Sequence, residues 1–272
     1  MMQCIRCATF LLAALVLASC ASDPKPSQPT AEPILEEQAA FAAVFADAGV
    51  TGCFVLYDPS ERRYLVHNAA RVETRYLPAS TFKIANSLIA LETGVLADTS
   101  VVFPWDGTER SIATWNRDHA MTTAFRYSVV WYYQAVAREI GTARMQTWLE
   151  RIGYGNHDIS GGIDLFWLSG GLRISALEQV DFLARLYEGN LPFAPQTMAS
   201  VRGLMVEEAT ATPLVRAKTG WTTATNTGWY VGYVEQGDRV WYFALNMDME
   251  TAEQAPLRRD LTHHILRDMG IL

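Results

Sequence analysis

Lysine is nearly absent from this chain: of its 22 basic residues 19 are arginine, and only Lys25, Lys83 and Lys218 are lysine. Basic clusters are missing too, and a net charge of −7 with a pI near 5.3 argues against nucleic acid as a partner. The five histidines are scattered, with no His-Glu-x-x-His, so a metal centre is not expected. Beyond the leader no run of 18 apolar residues occurs, which leaves no second membrane anchor. Cysteine is scarce, and Cys4, Cys7 and Cys20 all lie in the first 20 residues. The fourth, Cys53, sits alone in the apolar stretch TGCFVLYD and reads as a small buried hydrophobe rather than a nucleophile.

What is present fits one large folded domain, since half of the 272 residues are hydrophobic and 11% are aromatic. Arg6 followed by ATFLLAALVLA has the shape of a secretory signal peptide over residues 1–20. The segment ends in Leu17-Ala18-Ser19-Cys20, which resembles the bacterial lipoprotein box whose cysteine is acylated. An ordinary signal cleavage near Cys20 is the alternative. Residues 21–34, rich in Pro, Ser and charge, read as a flexible tether. The expectation is therefore an exported, periplasmic protein with a membrane lipid anchor if Cys20 is acylated.

From residue 35 the pattern is helical over 37–49, then two strands around Pro59-Ser60, then mostly helical from Pro78 to about 200. PLVRAKTG, GWYVGYVEQ and RVWYFALNMD read as three strands, with a turn at Gln236-Gly237-Asp238, and a helix closes the chain. This order predicts an α/β (α+β) fold: a five-stranded antiparallel sheet flanked by N- and C-terminal helices, with an all-helical lobe inserted. The sheet lobe takes about 35–80 and 205–272, the helical lobe about 81–204, and the cleft between them is a natural ligand site.

Both lysines of the folded region sit in short motifs. Ser80 and Lys83 are spaced i, i+3 at a predicted helix start, one face of a helix, with Pro78 in the first turn. A serine nucleophile needs a base. Lysine serves only when neutral, which burial among Phe82, Ile84 and Leu88 promotes. Arginine cannot, because its pKa stays above about 12. The second motif is Lys218-Thr219-Gly220 at the end of a strand, where glycine admits a ligand close to the backbone and Lys and Thr can grip a carboxylate.

Together Ser-x-x-Lys and Lys-Thr-Gly are the signature of serine β-lactamases and penicillin-binding proteins. Pro78-Ala79-Ser80-Thr81-Phe82-Lys83, Ser128-Val129-Val130, Tyr154-Gly155-Asn156, Phe166-Trp167-Leu168 and Lys218-Thr219-Gly220 resemble, in order and spacing, the class D β-lactamases. WNRDH, AREIG, DISGGID, LRIS and FALNMDM are similar to that family too, and the likeness covers about residues 50–270.

The resemblance implies that Ser80 is acylated by a β-lactam, and that Lys83 carries CO₂ as an N-carboxylysine and acts as general base. It implies that Trp167 donates its indole N–H to that carbamate and that Ser128 relays a proton to the leaving nitrogen. Lys218, Thr219 and Arg258 would hold the substrate carboxylate beside Gly220. The backbone N–H groups of Ser80 and Trp221 would form the oxyanion hole. Ile112, Trp115, Val130 and Leu168 match pocket-wall positions, and Val130 replaces the asparagine of Ser-x-Asn, removing a polar group near Lys83. Tyr154-Gly155-Asn156 is given an architectural role. CO₂ or bicarbonate is the one co-reactant implied, with no metal or organic cofactor. Two other readings share these motifs: a penicillin-binding transpeptidase or carboxypeptidase, and a β-lactam-sensing receptor domain.

Overall fold

In the computed structural model the described residues are 34–208 and 211–272. The leader, Cys20 and the tether up to residue 33, with Lys25, lie outside them. In chain order the elements are β1 (Leu35–Glu37), α1 (Ala39–Asp47), β2 (Gly52–Asp58), β3 (Arg63–His67), α2 (Ala69–Glu73) and α3 (Lys83–Glu92). Then come β4 (Val102–Phe103), β5 (His119–Ala120), α4 (Met121–Arg126), α5 (Val130–Ile140), α6 (Thr142–Ile152), α7 (Ala176–Glu188) and α8 (Pro195–Leu204). The chain closes with β6 (Leu214–Thr222), β7 (Thr227–Gln236), β8 (Arg239–Asp248) and α9 (Leu257–Asp268).

The main sheet has the order β1-β3-β2-β8-β7-β6, so strands from both chain ends meet at β2 and β8. It holds six strands rather than the expected five. The sixth, β1, is three residues long, and it pairs parallel to β3 while every other pair is antiparallel. Leu-Glu-Glu is too short to show an alternating pattern, so only its partner reveals it. A separate two-stranded ribbon joins β4 and β5.

Both faces of the sheet are covered, and side chains alternate between two cores. Phe54, Leu56, Tyr230, Phe243 and Leu245 pack with Phe41, Phe45, Leu261 and Ile265 of the terminal helices α1 and α9. Cys53, Val55, Trp229, Val231, Tyr233 and Ala244 face the helical lobe and join a larger core with Phe82, Leu88, Trp131 and Trp167. Burial on both faces explains why these strands read as nearly continuous apolar runs. Burial also pushes the Cys53 thiol up to about 12, so it is the inert hydrophobe expected.

Within the helical lobe α3 is the axial element: Lys83 through Ala90 are all buried. Helix α7 begins at a capping box formed by Ser175 and Glu178 and ends at Gly189 in the left-handed conformation. Two stretches expected to be mostly helical have no α-helix: 94–120, which holds the short strands β4 and β5, and 153–175, a long connection. The second is pinned by Asn156, whose side-chain amide donates to the Gly171 carbonyl (2.9 Å) and whose Oδ1 accepts from the Arg173 N–H (2.8 Å). Gly155, just before Asn156, has φ +59°, and a Cβ there would collide with the Arg173 carbonyl oxygen. Gly155→Ala is therefore expected to destabilise the protein by about 2–4 kcal/mol, strain and collision adding together. Thermal or denaturant unfolding measures this, and a change under about 0.5 kcal/mol would contradict the role given to this glycine.

Candidate active site

Ser80 lies in a 3-10 turn, Ala79–Phe82, and Lys83 is the first residue of α3. The sequence suggests that both stand on one α-helical face. Instead the tighter turn brings Lys83 Nζ to 2.7 Å from Ser80 Oγ. Ala79, just before the nucleophile candidate, has φ +50°, an unfavourable region for a residue with a Cβ. The turn is held there from several sides. Ala79 N–H donates to the Trp167 carbonyl (3.0 Å) and the Trp229 indole donates to the Leu77 carbonyl (2.8 Å). Thr81 donates to the Pro78 carbonyl (2.8 Å) while accepting from the Gln179 amide (2.8 Å).

Lys83 is 1% exposed, its amine lies 5.2 Å from the centroid of the Tyr133 ring, and it makes no ion pair among the described residues. Burial first, and the charge of Lys218 second, hold its ammonium well below the ordinary lysine range. Among the described residues no Asp or Glu is buried, so no protein carboxylate lies in this interior to balance or deprotonate Lys83. Trp167 is fully buried, packs against Phe82 with ring centroids 5.4 Å apart, and its indole N–H has no acceptor. An orphaned buried donor costs about 1–3 kcal/mol. A carbamate on Lys83 would supply both the missing acceptor and the missing base, so these residues fit that modification.

From the second lobe, Lys218 in β6 donates to Ser128 Oγ (3.1 Å) and to the Thr219 carbonyl (2.9 Å), with its amine 5.6 Å from the centre of the Phe125 ring. Ser128 sits at φ +56° in the short link between α4 and α5. Lys218 is 5% exposed; burial, then the charge of Arg258, pull its amine down to about 7. The strand β6 runs against the nucleophile turn, and a Cβ on Gly220 would lie 3.0 Å from the Pro78 carbonyl oxygen and 3.3 Å from the Ser80 nitrogen. Such contacts leave no slack for a side chain, which is why glycine stands there. A groove of about 820 Å³ adjoins the site at Lys218 and Thr219 and runs on between Arg126, Tyr127, Glu207 and Arg259; Ser80 and Lys83 do not line it.

The remaining expected site residues divide. Arg258, in the first turn of α9, donates to the Gly220 carbonyl (2.6 Å) and so reaches the site from below β6. The Trp221 indole turns away to donate to the Met249 carbonyl (3.0 Å), leaving its backbone as its share of the site. Trp115 donates its indole N–H to the Tyr127 carbonyl (2.9 Å), next to Ser128, and Ile112 beside it is 46% exposed at the rim. Val130 opens α5, and Leu168 follows Trp167 with its carbonyl bound by Thr222 (2.7 Å). Tyr154 supports from behind, edge-on to Phe82 at 5.6 Å. Sequence reasoning passed over Gln179, Tyr133 and Thr222. None lies in a recognisable motif position, and only the fold brings them to Thr81, Lys83 and Leu168 respectively.

Comparison with known proteins agrees with this geometry. Residues 52–267 match the family of penicillin-binding-protein transpeptidase domains. The chain is 46% identical over 239 residues to the β-lactamase OXA-48 of Klebsiella pneumoniae, covering 87% of this chain and 90% of that protein. It is 42% identical to the β-lactamase OXA-10 of Pseudomonas aeruginosa, over 88% of this chain and 91% of that one. Among solved structures, the class D β-lactamase YbXI from Nostoc superposes with a TM-score of 0.83 at 42% identity, covering 85% of this chain and 99% of that one. FUS-1 (OXA-85), a class D β-lactamase from Fusobacterium nucleatum subsp. polymorphum, gives 0.85 at 33% identity, over 87% of this chain and 100% of that one. With Ser80 on Lys83, Ser128 on Lys218 and likeness over nearly the whole described region, the chain belongs to the class D β-lactamases.

Proposed function

We propose that this enzyme opens the β-lactam ring of penicillin-type antibiotics through an acyl-enzyme on Ser80, with N-carboxylated Lys83 as general base, and so confers resistance. The observation that carries the reading is a wholly buried lysine 2.7 Å from the serine, with no buried carboxylate among the described residues and an unpaired Trp167 N–H beside Phe82. The neutral Lys83 amine adds to the carbon of CO₂ and releases one proton, leaving a carbamate anion. That anion takes the Ser80 proton as the oxygen attacks the lactam carbonyl. The backbone N–H groups of Ser80 and Trp221 bind the developing oxyanion. The C–N bond breaks, and the proton taken from Ser80 passes from the carbamate through Ser128, hydrogen-bonded to Lys218, to the departing nitrogen, which leaves both Ser128 and the base as they began. Lys218, Thr219 and Arg258 hold the substrate carboxylate, while Trp115, Ile112, Val130 and Leu168 wall the acyl side. Water, activated by the same base, then releases the product and regenerates Ser80.

Residues 1–20 serve in this reading as an export signal, with Cys20 as the acylation site, and 21–34 as the tether to a catalytic domain over 35–272 in the periplasm. The enzyme needs no metal in this scheme, and among the described residues no group of three potential metal ligands comes together.

The test is hydrolysis of a chromogenic cephalosporin by purified protein freed of CO₂, with and without added bicarbonate. Sustained turnover that rises with bicarbonate is expected. A single stoichiometric burst points instead to a transpeptidase or a sensor, and turnover indifferent to bicarbonate removes the carbamate.

A further inference from the structure

The connection 153–175 carries Trp167 and Leu168, yet it has no helix or strand of its own. Its geometry at the site is set by what grips the two carbonyls of that dipeptide. The Trp167 carbonyl accepts from Ala79 N–H (3.0 Å), which ties the loop to the nucleophile turn. The Leu168 carbonyl accepts from the Thr222 hydroxyl (2.7 Å), which ties it to the last residue of β6, four positions after Lys218. Among the described residues, that is the one hydrogen bond joining the main sheet to this loop. The Thr222 hydroxyl is itself oriented, because it accepts from the Ala224 N–H (3.2 Å) while it donates to Leu168. At 7% exposure water competes little for it.

We infer that Thr222 is a positioning residue for the base: its hydroxyl latches the Trp167–Leu168 segment to β6 and so aims the indole N–H at the carbamate on Lys83. This inference rests on the carbamate reading above. The physical reason is that a donor stabilises an anion only if it is held in place before the anion forms; a loop free to drift by an ångström gives up most of that benefit. The loop has internal bonds and the packing of Trp167 on Phe82 and Phe166, but among the described residues only Ala79 and Thr222 tie this dipeptide to the nucleophile turn and to β6. Their two carbonyls lie in the successive peptide planes that flank the Leu168 Cα, so holding both limits rotation of the segment that carries Trp167. Thr222 hydrogen-bonds neither Lys83 nor Ser80, and its effect passes through the loop.

The experiment compares the full chain with Thr222→Val and Thr222→Ala, which lack the hydroxyl, and Thr222→Ser, which keeps it. Each is stripped of CO₂ and then titrated with bicarbonate, reading cephalosporin hydrolysis and the carbamate resonance formed from ¹³C-bicarbonate. The Val and Ala variants are expected to need about tenfold more bicarbonate for half-maximal activity, the scale of one buried hydrogen bond. Thr222→Ser should stay within about twofold of the parent, and KM at saturating bicarbonate should hardly move in any of them. Parallel titrations for Val, Ala and parent overturn the latch while leaving the carbamate intact. A parent with no bicarbonate response and no resonance overturns the carbamate and the latch with it. Should Thr222→Val fail to fold, the Ala and Ser pair decides.

Discussion

Lys83→Arg is expected to cut kcat/KM for a chromogenic cephalosporin by roughly a thousandfold or more, the scale of a lost general base, although the formal charge is kept. The site asks for two properties that arginine lacks. Its guanidinium does not lose a proton in a protein, so it neither takes the Ser80 proton nor adds to CO₂. The site also has no spare volume for it, since Lys83 is 1% exposed and α3 is buried throughout its first two turns. Lys83→Met separates chemistry from folding, because it keeps the length and removes the charge. Equal loss in both variants, with both folded by circular dichroism, fits the base role. Hydrolysis by either variant within tenfold of the parent would sink that role.

The second large effect runs the other way, on stability. Lys218→Met is expected to stabilise the fold by about 1–3 kcal/mol near pH 7 while it lowers activity. The Lys218 amine sits at about 7 in the folded protein against 10.5 ordinarily, chiefly because it is buried and secondly because Arg258 is near. A base whose folded pKa is lowered binds fewer protons folded than unfolded between those two values, so stability rises with pH across roughly 7 to 10.5. Below about 7 both states carry the proton and the full cost of charging a buried amine is present. That cost is on the order of 4–5 kcal/mol, and the hydrogen bonds to Ser128 and the Thr219 carbonyl that methionine forfeits offset part of it. The parent should thus gain stability from pH 7 to 10 more steeply than Lys218→Met. Thermal unfolding across that range reads both the pH 7 gain, roughly 3–10 °C for a domain this size, and the difference in slope. A variant less stable than its parent at pH 7, or with the same slope, contradicts this account of Lys218.

The two predictions share a cause. The interior of the cleft holds two amines and, among the described residues, no buried carboxylate. A protein built only for stability pairs a buried charge or leaves it out. Here Lys83 and Lys218 are each held in an interior that disfavours their charge, and each stands within hydrogen-bond reach of a serine. Perturbed groups in a cleft are a physical marker of function. The marker agrees with family likeness without depending on it.

Much of the architecture was legible in residue type and punctuation. The β-branched and aromatic runs of 52–58, 228–236 and 239–248, bounded by turns, mark β2, β7 and β8, and the helical run 176–188 stopped by Gly189 locates α7. The strand β1 escaped because three residues carry no period, and its partners on the parallel strand β3 lie 29 positions away, Leu35 opposite Tyr64. The connections 94–120 and 153–175 escaped for a related reason. Their apolar residues, Phe166 and Trp167 buried and Trp115 half-buried, are covered by contacts to other elements and not by a repeat of their own.

The sequence by itself determined which chemistry was available. Serine and lysine three apart, a second lysine before Thr-Gly, and arginine at every other basic position of the folded region mark the candidate reacting groups, because side-chain type fixes what can be deprotonated. Only the tertiary structure decided how those groups are tuned. The 3-10 turn that sets Ser80 on Lys83, the missing carboxylate, the unpaired Trp167 N–H and the Thr222 latch on Leu168 all depend on segments far apart in sequence, such as Trp229 on Leu77, Trp167 on Ala79 and Thr222 on Leu168. Burial and orientation belong to the folded surroundings, and no local stretch of sequence carries them.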